Sequence, residues 1–265
     1  MWCSDPFLTY LKSVGYNTIR LPRADIQPLQ VLARKAKDLD RLGDLVTVLV
    51  SGSNISVPTM KPDIPAANIS GQRTSDLSIG IGLSILGTII GAMGGSKLGL
   101  DAKYSQAKTA SFEFSDVLED RINVAELDQY LADADVNPFS RSVGQLLEAD
   151  EVYVITSTIK STKFTIEASK SDGAALEVSI PEIQGVVGGN VGVKANQEVK
   201  SKVTYEGKVP LVFGFQAVRL FYERGTYTAL RPLDTGKTAL RALEDVPDDG
   251  AERLMTDAPF IQLQE

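Results

Sequence analysis

Residues 77–95 read LSIGIGLSILGTIIGAMGG, a run without a single charge in a chain that is otherwise rich in them. From 77 to 85 large and small residues alternate strictly: Leu77, Ile79, Ile81, Leu83 and Ile85 against Ser78, Gly80, Gly82 and Ser84. A period of two predicts a strand with one apolar face. From Leu86 the spacing changes, with Leu86, Ile89, Ile90 and Met93 on one side of a helix and Gly87, Gly91 and Gly95 near the other. The length alone fits a transmembrane helix, for which about 20 apolar residues suffice. The alternation argues instead for a strand over 77–85 that leads into a short, weakly held helix.

The same reading predicts a short helix over 7–14, a strand over 16–22, a helix over 29–42 from the spacing of Leu32, Ala36 and Leu39, and a strand over 44–50. Residues 51–75, with Pro58, Pro62 and Pro65, read as a loop. Residues 97–115 alternate, with Leu98, Leu100, Ala102, Tyr104, Ala110, Phe112 and Phe114 on one face, interrupted by Gln106 and Lys108. That far exceeds the usual five or six residues of a globular strand. A helix over 117–135 ends at Asn137-Pro138. A second pair of long alternating runs covers 151–168 (Val152, Val154, trailing into Phe164 and Ile166) and 190–205 (Val191, Val193, Val199, Val203). Between them, 181–187 reads as a short helix opened by proline. Residues 209–222 form a compact apolar strand, and 234–251 a linker with a short helix around 238–243. The end of the chain, Leu254-Met255 and Phe260-Ile261-Gln262-Leu263, is apolar. Terminal residues are ordinarily polar and free, so this peptide is expected to dock.

Composition narrows the chemistry. The 265 residues contain no histidine and one cysteine. The commonest general base and zinc ligand is therefore missing, and so are an internal disulfide and a thiolate cluster. No phosphate loop, dinucleotide fingerprint or GxSxG turn occurs, and no pair of carboxylates stands out, so neither catalytic nor metal-binding residues are assigned. The net charge of −7 argues against nucleic acid as a partner. From Asp234 onward eight acids face three bases, so the tail supplies −5 of that charge and the body is nearly neutral. Residues 1–12 show no secretory signal, which points to a cytosolic chain. Cys3, beside Trp2, reads either as a small buried hydrophobe or as an acylation site.

The simplest reading of the long one-sided strands is a large curved antiparallel sheet covered by helices. The alternative is that each pair becomes a membrane-spanning β-hairpin. Spanning strands need roughly 9–11 residues with lipid-facing apolar and lumen-facing polar positions in alternation, and only helices or closed barrels satisfy the backbone in lipid. On that reading Leu77, Ile79, Ile81, Leu83, Leu98, Leu100, Tyr104, Phe112, Val152, Val154, Val191, Val193 and Val199 are the candidate lipid-facing positions. Two hairpins cannot close a barrel, so many copies must assemble, and the terminal peptide is a candidate latch. The competing class is a binding or scaffold protein whose acidic tail recruits a partner, with no action on membranes.

The first thirty residues, MWCSDPFLTYLKSVGYNTIRLPRADIQPLQ, resemble the start of bacterial gasdermins, including the near-terminal cysteine and the LPR segment. Chain length, the two hairpin-like regions and the short terminal peptide agree with that family. The resemblance implies an α+β fold, a large twisted, mainly antiparallel sheet with peripheral helices. It implies a pore-forming domain over 1–243 and an inhibitory peptide over 244–265, with the boundary within 240–250. It further implies a death effector of antiphage defence, activated by a caspase-like or other protease from a neighbouring gene. The monomer would rest in the cytoplasm and, once cut, oligomerise in the lipids of the inner membrane. No cofactor is implied beyond a palmitoyl chain on Cys3. The scissile region would hold Leu240, Arg241, Leu243, Asp245 and Asp249, and Phe260, Ile261 and Leu263 would anchor the inhibitory peptide.

Overall fold

The computed structural model describes residues 11, 15–35, 38–52, 55–66, 77–170, 173–177, 191–195, 201–230, 254, 261 and 263–264. In chain order the strands begin with β1 (Asn17–Arg23), β2 (Gln30–Lys35) and β3 (Asp38–Asp44). A helical turn, α1 (Leu45–Val48), leads to β4 (Leu49–Ser51) and β5 (Lys61–Pro65). Next come β6 (Leu77–Ser78), α2 (Ile79–Ala92), the turn α3 (Leu100–Lys103), β7 (Thr109–Ser115) and β8 (Leu118–Arg121). Helix α4 (Val124–Asp133), β9 (Ala134–Val136) and α5 (Arg141–Glu148) precede the long strand β10 (Val152–Ser169). The remainder is β11 (Gly192–Ala195), β12 (Lys202–Arg219), β13 (Phe221–Glu223), β14 (Thr226–Ala229) and β15 (Leu263–Gln264).

The α+β architecture expected from the sequence is what the chain adopts: one large sheet, almost wholly antiparallel, with helices against it. Its spine is the antiparallel pair of β10 and β12, eighteen residues each. At about 3.3 Å per residue each strand runs nearly 60 Å, long enough to serve two separate cores. At the first core, Val152 and Val154 of β10 and Val218 of β12 meet Leu127, Tyr130 and Leu131 of α4 and Leu147 of α5. At the second, Phe164, Ile166 and Ala168 of β10, with Val203, Tyr205 and Phe213 of β12, lie under Leu86, Ile89, Ile90 and Met93 of the α2 region. A third cluster, around Ile19, Leu32, Tyr153, Ile155 and Phe215, lies where β1, β2 and the spine come together.

Several expected elements are corrected. Residues 29–42 form the hairpin β2–β3, not a helix. Val31 is buried in the first cluster and Leu32 in the third, so β2 is apolar on both faces and shows no alternation. The strand expected over 44–50 starts as the turn α1. The strand expected over 77–85 ends at Ser78, and helix runs from Ile79. Of 97–115 only the last seven residues are strand. Leu100, Tyr104 and Ala107 are buried at helical spacing instead, in the segment that opens at Gly99 with φ 80°. The helix expected over 117–135 yields its first residues to β8 and begins after Asn123, whose side chain accepts the Ala125 amide at 2.9 Å. The run 190–205 is divided between β11 and β12, which pair with each other. Strand β5 lies within the loop expected over 51–75. Residues 181–187 and the expected 238–243 helix lie outside the described residues.

Candidate membrane-insertion surface and its C-terminal cover

Beyond Ser161 the spine has a face of each kind. On one side the aromatic rings stack: Phe114 on Phe213 at 4.1 Å and Phe164 on Tyr205 at 4.9 Å between centroids. On the other, register aligns polar residues into rows that cross four strands. Glu113, Thr165, Thr204 and Lys194 form one row, and Ser115, Lys163, Glu206 and Gly192 the next. Lys202 reaches Glu113 at 2.9 Å, Lys194 reaches Glu206 at 2.9 Å, and the Thr165 and Thr204 hydroxyls are 2.8 Å apart. One apolar and one polar face on the same strands is the pattern a water-filled barrel wall in lipid requires.

What covers the apolar face is weak by composition. Helix α2 has no acidic residue in its first turn, no basic residue in its last, and glycine at 80, 82, 87 and 91. Each glycine costs roughly 1 kcal/mol of helix propensity against alanine. Its attachment is therefore tertiary, through the buried stripe Leu86, Ile89, Ile90 and Met93, with Leu83 partly buried beside it. The following segment is held by Leu100, Tyr104 and Ala107, and the Tyr104 hydroxyl lies 2.9 Å from that of Tyr205 on β12. No helix among the described residues is long and apolar enough to cross a membrane.

The sequence candidates distribute unevenly over this surface. Phe112 and Val193 belong to its strands, β7 and β11, and Val191, next to β11, is buried in the same cluster. Leu77 is in β6, Ile79, Ile81 and Leu83 are in α2, and Leu100 and Tyr104 are in the covering segment rather than a strand. Leu98 is 79% exposed on a turn. Val152 and Val154 lie at the far end of β10 against α4 and α5. The better-placed residues of that strand are Phe164 and Ile166, into which the alternation trails, and Ala168 beyond them. Val199, Cys3, Phe260 and the candidate scissile residues Leu240, Arg241, Leu243, Asp245 and Asp249 lie outside the described residues.

The C-terminal residues form a second structure that sequence reasoning anticipated only as docking. One path through the sheet runs β1-β12-β10-β2-β3-β15, so β1 and β3 would be its outer strands without the terminus. Leu263 and Gln264 pair in parallel with Leu39 and Asp40 of β3. Ile261 bridges Ile19 of β1 in parallel, and its amide donates to the Thr18 carbonyl at 2.8 Å. Further back, the Leu254 amide donates to the Ala217 carbonyl, and the Asn17 side-chain amide donates to the Leu254 carbonyl, each at 2.8 Å. The terminus thus ties both outer strands together. Leu254, Ile261 and Leu263 are at most 7% exposed and complete the third cluster.

Nothing else among the described residues offers competing chemistry. No three potential ligand side chains converge there. The cleft of about 530 Å³ beside α5 is lined by Val136, Leu147, Glu148 and Tyr222, and the Glu148 carboxylate is committed to the Arg224 and Gly225 amides. Burial drives the Tyr222 hydroxyl far above the ordinary tyrosine range, with the nearby Tyr130 and Asp135 adding to the shift, so it stays a neutral phenol.

Comparison with known proteins agrees with this architecture. The model of the Bacterial Gasdermin Family matches residues 19–229. Gasdermin bGSDM of a Desulfuromonadales bacterium is 65% identical over 263 residues, 99% of either chain. Gasdermin bGSDM of Lysobacter enzymogenes is 44% identical over 251 residues, covering 94% of this chain and 92% of the relative. Among solved structures, a bacterial gasdermin from Bradyrhizobium tropiciagri shares the fold, with a TM-score of 0.58 at 15% identity over 98% of this chain and 97% of that one. The resemblance in the opening residues is thereby extended to the whole chain, which belongs to the bacterial gasdermin family of pore-forming proteins.

Proposed function

We propose that this chain is an autoinhibited pore-former of antiphage defence, released when a protease removes its C-terminal segment. The observation that carries this reading is the double attachment of that segment, to β1 through Ile261 and to β3 through Leu263. Cutting within 240–250 would let the segment dissociate, since a tethered peptide that becomes a separate molecule loses its effective concentration. Three buried apolar side chains would go with it, each contributing roughly 1.5–3 kcal/mol. Strand edges on β1 and β3 would be freed together, and unpaired edges are templates for association. Helix α2 packs against β1 as well as the spine, so its support would change in the same step. Residues 79–108 would then extend as strand beside β7, and the segments after β10 and before β12 likewise, giving two spanning hairpins per copy. The killed cell would be the infected one, with a caspase-like or other neighbouring protease as the trigger, and palmitate on Cys3 adding hold on the inner membrane.

The test is dye release from vesicles of phosphatidylethanolamine and phosphatidylglycerol. A chain ending at 243 is expected to empty them, and to stop growth when expressed, whereas the full chain does neither. Intact vesicles with every truncation between 240 and 250 would overturn the reading and return the acidic tail to the role of a recruitment segment. Intact mass of protein recovered from cells checks the acyl chain, which Cys3→Ala must abolish.

A further inference from the structure

Helix α2 does not merely lie on the sheet: the residue that follows its last turn is seated in it. The helix closes with Gly94 at φ 81°, the Gly95 amide donating to the Ile90 carbonyl at 2.8 Å and the Gly94 amide to that of Gly91 at 3.0 Å. This paired closure is the Schellman arrangement and gives the chain a fixed exit. It sets Met93, 6% exposed, onto β12 at Gly207. A Cβ added at Gly207 would come within 2.4 Å of Met93 Cγ, 2.7 Å of Sδ and 2.8 Å of Cβ. Among the glycines of β12, Gly214 would also crowd a side chain, but that one belongs to Ile159 of the neighbouring strand. Gly207 is where the sheet meets its helical cover.

Its place in the spine matters too. Ser161 pairs with Leu211 and Lys163 with Glu206, so β10 advances two residues while β12 advances five. The surplus in β12, residues 207–210, is a bulge, a device that bends a strand and interrupts its ladder. The bulge lies within the part of the spine under α2, because Leu211 and Phe213 beyond it share a cluster with Val203 and Tyr205 before it. Met93 therefore sits at this bend, in a cluster separate from the one holding Leu254, Ile261 and Leu263. Loss of the terminal segment leaves this contact in place.

We propose that Met93 on Gly207 is a catch that holds α2 to the sheet independently of the C-terminal segment and delays its departure after cleavage. The delay rests on the pore-forming reading above; the catch itself does not. With the catch in place, release of the segment is necessary for pore formation but is followed by a lag during which Met93 leaves its seat. The glycine is what makes the seat, because any larger residue fills the space the thioether occupies. Gly207 is not in the left-handed region, so alanine there meets no left-handed backbone penalty, and the three atoms nearest its Cβ all belong to Met93.

The experiment compares the parent, Gly207→Ala, Met93→Ala and the double variant. Amide hydrogen exchange of residues 79–92 is measured in the intact chain, and the lag before dye release in the cut chain. Gly207→Ala is expected to raise exchange of 79–92 about tenfold or more, the scale an overpacked contact implies, while leaving 124–133 unchanged, and to shorten the lag. In the Met93→Ala background the same substitution is expected to do much less, because the thioether arm is gone and only the Cβ of residue 93, 2.8 Å from the added one, has to give way. Equal effects in both backgrounds, or unchanged exchange, would overturn the catch. An unchanged lag beside coupled exchange would overturn its control of timing. Coupled exchange with no dye release from any cut chain supports the catch and sinks the pore-forming reading instead. If Gly207→Ala does not fold, Met93→Ala alone decides: exchange must rise over 79–92 and not over 124–133.

Discussion

The two ends of the β10–β12 spine use the same strands to opposite purpose. At one end, α4 carries no glycine, starts at a side-chain cap, and presents Leu127, Tyr130 and Leu131 to Val152, Val154 and Val218. At the other, α2 has four glycines and attaches through its apolar stripe and Met93. Both ends bury large side chains, so burial alone does not distinguish them. The difference lies in the cover. At ten and fourteen residues both helices depend on packing, but the four glycines make α2 the more dependent of the two. The comparison teaches that a strand pair can be built as a permanent core at one end and a conditionally covered surface at the other.

Core truncation is the strongest way to break this contrast. Leu127→Ala and Ile90→Ala both empty fully or nearly fully buried positions, and each is expected to cost about 2–5 kcal/mol. Their consequences should differ in kind. Leu127→Ala is expected to lower the thermal midpoint of the whole chain and to reduce dye release after cutting, because it damages the part that must stay folded. Ile90→Ala is expected to loosen 79–92 selectively in hydrogen exchange and to hasten release. If both variants slow release equally, the two ends are one cooperative unit and the contrast fails.

A smaller effect sharpens it. The Tyr104–Tyr205 hydroxyl pair is the polar joint in an otherwise apolar interface. Tyr104→Phe leaves the Tyr205 hydroxyl buried without that partner and is expected to cost about 1–3 kcal/mol, whereas Phe at both positions is expected to be nearly neutral. Thermal unfolding of Tyr104→Phe, Tyr205→Phe and the double variant checks this, and additive losses would show that the hydroxyls do not depend on each other.

Much of this organisation was legible in the chain. Alternation located β10 to within a residue at each end, expected over 151–168 and found as Val152–Ser169, because its β-branched residues and its apolar ends, Val152 and Val154 at one and Phe164 and Ile166 at the other, favour an extended chain. Strand β1 and docking of the terminal peptide were legible for the same reason: apolar residues stood where a free segment would be polar. Legibility failed where two patterns fit. Leu77 to Ile85 alternates, yet Leu83, Leu86, Ile90 and Met93 also make a helical stripe, and contact with the sheet selected the helix. Leu100 and Tyr104 fit both periods too, and only Ala107, buried with them, breaks the alternation. Hairpin β2–β3 was hidden because burial on both sides erases alternation. Nor could spacing reveal that the terminus joins β1 to β3, or that Met93 meets Gly207, since both depend on segments more than a hundred residues apart.

The most direct test of the central claim is to fasten the cover. With the built Cβ of Gly207 only 2.8 Å from that of Met93, a small shift brings a cysteine pair at these positions to the roughly 3.5–4.5 Å a disulfide needs. The measurement is dye release by a cut chain carrying Met93→Cys and Gly207→Cys, oxidised and then reduced, with chains carrying only one of the two substitutions as controls. Vesicles are expected to hold their dye while the bond is intact and to lose it once the bond is reduced. Equal release from the oxidised and reduced chains would mean that α2 need not leave the sheet, and would contradict the account.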